Sequence, residues 1–286
     1  VRQARALADP IAESYAIGQL GELYELTEQW PQAQELTQQA LWLAENTRYP
    51  DGLYRWEWQL GRLLKQQGKL AEAITAYSEA VETLELVRND LLFIDAEIQF
   101  SFRNDVEPIY RELVQLLLSG PKPNSTVSNP KETSEPSQEN LKQAIQRIDN
   151  LQLNELENFL RCNLDSTVAI SQDEVDPTAA FIYPIILEDR LAVILELPGE
   201  EQPLRFHQVP MPQPVVEDIL QQLRRDLSEA PDRTPEVIET AQAVYRWLMA
   251  PFEPVLAENP QIDTLVFVLD GPLRNIPMAA LHDGEQ

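Results

Sequence analysis

A thiol nucleophile works only with a histidine in hydrogen-bond reach. The chain offers one cysteine, Cys162, and two histidines, His207 and His282. Cys162 follows a helical pattern in an Arg-Cys-Asn context, and His207 lies between Phe206 and Gln208 on a strand face shared with Arg205. That placement reads as a solvated side chain. His282 falls in an Ala-Leu-His-Asp exit and reads as a turn residue. A lone Cys and an isolated His carry no pairing information, so no catalytic residue is assigned. No metal-ligand spacing, glycine-rich phosphate loop or paired-carboxylate motif appears, so no cofactor and no metal are expected.

Recognition chemistry is better represented. Arg55, Trp58, Arg62 and Lys65 fall at i, i+3, i+7 and i+10, one stripe of a single helix. Trp56, Leu60, Leu63 and Leu64 form the adjacent apolar stripe, which reads as the core side. A cationic and aromatic stripe can hold carboxylates through forked hydrogen bonds and offer a stiff apolar contact. The alternative is an ordinary solvated face with a half-covered Trp. On the first reading the partner is a protein or peptide with an acidic segment. It comes from another chain or from this chain's own acidic stretches, such as Asp173-Glu174-Val175-Asp176. Because Arg62 points away from Leu60 and Leu63, Arg62→Glu is expected to weaken binding while leaving the fold intact.

Bulk composition limits the other possibilities. Lys plus Arg number 22 against 47 Asp plus Glu, a net charge of −25. Such a surface repels phosphate backbones and anionic lipid, which argues against nucleic acid and membranes as partners. The longest apolar runs, near 191–195 and 265–269, are far too short to span a bilayer. One cysteine excludes an internal disulfide and suits a reducing cytoplasm. The opening residues read as a cut edge, without an initiator Met or an apolar signal core.

Three regions must position these residues. In the first, 1–118, Leu20-Gly21-x-x-Tyr24 is matched forty positions later by Leu60-Gly61-x-x-Leu64. Ala33, Thr37 and Ala40 are matched at the same offset by Ala73, Tyr77 and Ala80. A large residue, a Gly, an aromatic and two Ala seven apart form the tetratricopeptide pattern, whose small residues let paired helices approach closely. A period of forty implies lengthened helices or a longer turn around 47–52, with Pro50-Asp51-Gly52 marking the turn between repeats. Trp30-Pro31 and Gly68-Lys69 mark the turns within each pair. Arg88–Leu118 reads as a third helical pair, carrying Leu92, Ala96 and Phe100 and restarting at Pro108. The second region, 119–140, is rich in Pro and Ser with Val127 as its large apolar residue, and reads as a linker. The third, 141–286, begins with two short helices, Leu141–Ile148 after an Asn140 cap and Leu153–Leu160. It continues as a hairpin of strands, 180–187 and 190–197, and a third strand at 204–209. Pro184 places the first of these at an edge or beside a bulge. Two amphipathic helices follow, and then a strand over 264–269 that reads as buried on both faces in mid-sheet. The fold expected is mixed: an all-α array followed by an incomplete α/β domain.

The last region carries a resemblance. Leu265-Val-Phe-Val-Leu-Asp-Gly-Pro-Leu-Arg-Asn-Ile-Pro-Met-Ala-Ala-Leu-His-Asp-Gly284 resembles the opening strand and loop of a CHAT domain. That family has a caspase-like α/β fold, occurs mainly in bacteria and is usually carried behind tetratricopeptide repeats. The resemblance implies that its histidine, in a T-H-G-like loop, and its nucleophilic cysteine, in an S-A-C-like loop, come later than this stretch. No such tripeptide occurs in the chain. Arg274 follows a strand at its carboxyl end, where open α/β sheets place ligand crevices. Caspase-like proteases line a substrate pocket from this region, so the resemblance makes Arg274 a pocket-lining candidate; otherwise it pins its own turn by bonding local carbonyls. The function expected is the protein-binding, docking portion of a CHAT-family caspase-like cysteine peptidase, without the dyad. The alternative is a non-enzymatic scaffold, and reading the frame past Gln286 for the two loops distinguishes them.

Overall fold

The computed structural model describes residues 1–91, 106–119, 135–160, 176–229 and 234–284. Cys162, the expected helical positions Leu92, Ala96 and Phe100, Val127 with most of the Pro/Ser-rich segment, and Asp173-Glu174 lie outside the described residues. The chain divides into two compact units, Val1–Ser134 with Gln146–Ser166, and Glu135–Ile145 with Thr167–Gln286.

Among the described residues the first unit is all-α. It holds α1 (Arg2–Ala6), α2 (Pro10–Leu26), α3 (Trp30–Thr47), α4 (Pro50–Gln66), α5 (Leu70–Leu91), α6 (Glu107–Leu117) and the later turns of α7 (Gln138–Leu160). Pro10 opens α2, where a missing amide costs nothing, and the Asp9 carboxylate accepts the Ala12 N–H at 3.0 Å. The helices pack as pairs, α2 with α3 and α4 with α5. Residues matched at the forty-position offset occupy matching places: Ala33, Thr37, Ala40, Ala73, Tyr77 and Ala80 are all 0 % exposed. The glycines show why they are small. A Cβ on Gly61 would lie 2.6 Å from the Tyr77 ring, and one on Gly21 would lie 3.2 Å from Thr37 Oγ1.

The long period comes from the helices, which have 17, 18, 17 and 22 residues from α2 to α5. Pro50-Asp51-Gly52 is not the turn between pairs but the first turn of α4, with Pro50 supplying the fixed φ of a helix start. The chain reverses at Arg48, which takes a left-handed φ of 50°. The helix over 138–160 is likewise one element and not two, because Asp149-Asn-Leu-Gln152 holds no Gly or Pro to break it. Its first-turn amide, Asn140 N–H, is accepted by Ser137 Oγ at 3.1 Å, so Ser137 and not Asn140 supplies the cap. Asn154 Nδ2 donates to Tyr110 Oη at 2.9 Å, and Asn150 Nδ2 donates to Glu85 Oε1 at 2.9 Å, joining α7 to α6 and α5.

The second unit is a mixed four-stranded sheet with helices. It comprises β1 (Ala179–Ile186), β2 (Leu191–Glu196), β3 (Leu204–Val209), α8 (Gln213–Glu229), α9 (Thr234–Leu248), α10 (Glu253–Glu258) and β4 (Thr264–Phe267). The sheet order is β3-β2-β1-β4, with β1 antiparallel to β2 and parallel to β4. One face, Ile182 and Ile186 beside Leu195 and Leu191, packs on Val216, Leu220 and Leu223 of α8 and on Ala241, Val244 and Leu248 of α9.

The expectation that Pro184 places β1 at an edge or beside a bulge fails, for a geometric reason. β1 is central despite Pro184, and β4 ends the described sheet, with Leu265 38 % exposed. Alternate residues of β1 point their backbone groups toward β4. Val268 N–H reaches the Ile182 carbonyl at 2.9 Å, and β4 pairs with β1 only as far as Ile182. Pro184 is the next residue on that side and has no amide to satisfy. Two further on, the Ile186 N–H is accepted by the Asp270 carboxylate at 3.1 Å.

Candidate functional site

Arg55, Trp58, Arg62 and Lys65 all lie on α4 and all are partly buried. The other side of α4 fixes the rotation of the helix. Trp56 is 2 % exposed and fills the space above Gly18, where a Cβ would come within 2.4 Å of the indole. Its Nε1 donates to Ser14 Oγ at 3.1 Å, and Ser14 Oγ donates onward to the Ala40 carbonyl at 2.8 Å. With Trp56, Leu63 and Leu64 buried, Trp58 and Arg62 are carried onto a different side of α4.

There they enter a polar network drawn from four helices. The Arg62 guanidinium makes a fork to Glu25 of α2, with Nε at 2.7 Å from Oε1 and Nη2 at 2.8 Å from Oε2. Its Cζ lies 4.5 Å from the centroid of the Trp58 ring, in cation–π range. Trp58 Nε1 donates to Glu112 Oε2 of α6 at 2.9 Å, and Tyr77 Oη of α5 donates to the same oxygen at 2.5 Å. Burial, then the charge of Glu112, hold the Tyr77 phenol well above its ordinary range, so it remains a donor. Arg62 is therefore part of the fold. Its side chain is 24 % exposed and that of Glu25 14 %, and a glutamate at 62 would face Glu25. This corrects the expectation that Arg62→Glu leaves the array intact.

Arg55 and Lys65 flank the network. Arg55 Cζ lies 5.3 Å from the Tyr54 ring centroid, and among the described residues no carboxylate pairs with Arg55 or Lys65. Four stripe residues were legible from spacing; their partners were not. Glu25, Tyr77 and Glu112 are 37, 35 and 54 positions from the groups they bond, so no local pattern reveals them.

Arg274 lies on a short 3₁₀ turn, Gly271–Asn275, and its Nε donates to the Leu269 carbonyl at 3.0 Å. That contact belongs to the turn-pinning alternative. A hollow of about 200 Å³ nearby in sequence is lined by Glu217, Leu220, Gln221, Arg224, Pro272 and Asn275. The histidines are separately occupied. His207 is partly buried and meets Phe252 edge-on at 6.4 Å, and burial lowers its pKa. His282 Nδ1 accepts the Gly284 N–H at 2.8 Å within its turn. Among the described residues no group of three or more His, Cys, Asp or Glu is placed to hold a metal ion, and no helix is long and apolar enough to cross a membrane.

Residues 238–286 match the family model of the CHAT domain. The match begins within α9 and takes in β4 and the turns that follow, the stretch containing Arg274. No curated protein and no solved structure matches the chain.

Proposed function

We propose that this chain is the protein-binding, docking portion of a bacterial, cytoplasmic CHAT-family cysteine peptidase of caspase-like type, itself lacking the catalytic dyad. Its helical pairs act as tetratricopeptide-type repeats. The observation that carries the reading is Arg55 and Lys65, two cations on α4 that flank the internal Arg62–Glu25 fork and with which no carboxylate pairs among the described residues. The helix lies in an array that precedes a CHAT-matching segment. Its partner is an acidic segment of a protein or peptide, from another chain or from this chain's own CHAT region. A scaffold that binds the same segment without serving a peptidase is the second reading.

The test is titration of the full chain with a glutamate-rich peptide, read by indole fluorescence. Arg55→Glu with Lys65→Glu should weaken binding several-fold while the melting temperature stays near wild type. An unchanged affinity, or no binding by wild type, overturns the docking face. Joining the chain to a complete CHAT domain then separates the readings: peptide-dependent peptidase activity supports the first, and binding without activity supports the scaffold.

A further inference from the structure

We propose that the α3–α4–α5 junction is a proton-operated latch, closed while the Glu57 carboxyl is neutral and loosened when it ionises. Glu57 is adjacent in sequence to Trp58, on the helix that carries the docking face, yet it is 9 % exposed and packed inside the array. One of its oxygens, Oε2, is fully buried and has no hydrogen-bond partner. The hydroxyl of Thr83 on α5 is its hydrogen-bonding neighbour. The charged groups acting on it are all of its own sign: Glu79 and Glu82 from α5, and Glu45 from α3. Arg147 of α7 pairs with Glu82 at 3.6 Å, and among the described residues no cation pairs with Glu57. A buried carboxylate with an unbonded oxygen and three acidic neighbours is an unfavourable charge; the same carboxyl protonated is a small polar group in a tolerable place.

Burial first, and then the surrounding glutamates, push the Glu57 carboxyl up to about 7. In the unfolded chain it titrates in the ordinary glutamate range. The folded state therefore holds this proton where the unfolded state has lost it, and stability falls as pH rises through that interval. The full benefit is present below the ordinary glutamate value. It is lost progressively between that value and the raised one of about 7, and the loss is nearly complete just above neutrality. The repulsion acts where Glu57 meets Glu79 and Glu82 of α5 and Glu45 of α3, so α4 loosens from α5 and α3 and the Trp58 side of α4 loses its fixed support.

Two measurements on the full chain test this. Carbon-13 NMR of the glutamate carboxyls should show one resonance titrating near neutrality, absent from Glu57→Gln. Thermal melts of wild type and Glu57→Gln should nearly coincide at about pH 4 and diverge by several degrees at about pH 8, wild type melting lower. Amide exchange in α4 and α5 should speed up over the same interval beyond its intrinsic pH dependence. A Glu57 carboxyl that titrates in the ordinary range overturns the latch. So does a melting difference that is the same at both pH values. The NMR titration needs no variant to fold, apart from the assignment, which Glu57→Asp can also provide.

Discussion

The carboxylate of Asp270 accepts the backbone N–H of Ile186 at 3.1 Å, and both residues are almost completely buried. Asp270 belongs to the turn after β4, so a side chain continues the pairing of β1 where the β4 backbone has left off. The bond crosses 84 positions of sequence.

Asp270→Ala should destabilise the second unit by about 1–3 kcal/mol, the cost of a buried amide left without an acceptor. Asp270→Asn keeps an acceptor oxygen and should cost less. Urea unfolding with amide exchange at Ile186 measures both. A silent Asp270→Ala would mean that water replaces the carboxylate.

Gly61→Ala should destabilise the helical array by about 1–3 kcal/mol, because its Cβ would press on the fully buried Tyr77 ring. Helix propensity alone gives the opposite sign, a gain of about 1 kcal/mol. The direction of the melting shift therefore decides whether close helix approach is what this position requires.

Arg62→Glu should lower array stability by about 2 kcal/mol or more, since a charge-assisted fork is lost and two carboxylates are opposed. Pairing it with Glu25→Arg should recover a good part of that loss. Circular-dichroism melts of the two single variants and the double variant give the coupling; simple additivity would mean that the fork contributes little.

Binding of the glutamate-rich peptide should weaken as salt is raised, since the charges of Arg55 and Lys65 are screened over about 8 Å at physiological ionic strength. Salt-independent affinity would move the contact onto Trp58 and the apolar surface around it.

The chain should hydrolyse no peptide substrate, and Cys162→Ala should leave any background rate unchanged. Cleavage that disappears with that substitution contradicts the absence of a dyad.

Much of the fold was determined by local sequence. Helix pairs follow from apolar spacing and from the Gly and Ala positions repeated at an offset of forty. The β1–β2 hairpin and β3 follow from alternation and turns. The stripe Arg55, Trp58, Arg62 and Lys65 is likewise a local fact, since one helix sets its own periodicity. Tertiary structure decided what each of these residues meets. Whether Arg62 is solvated or forked depends on Glu25 arriving from another helix, and the protonation of Glu57 depends on the depth at which α3 and α5 enclose it. Pro184 argued for an edge when read along the chain. Only the point where β4 stops, and Asp270 takes over, makes a proline acceptable in a central strand. Local spacing fixes which side of an element a residue occupies; burial, pairing and charge balance are set by neighbours tens of residues away, and these appear only once the chain has folded.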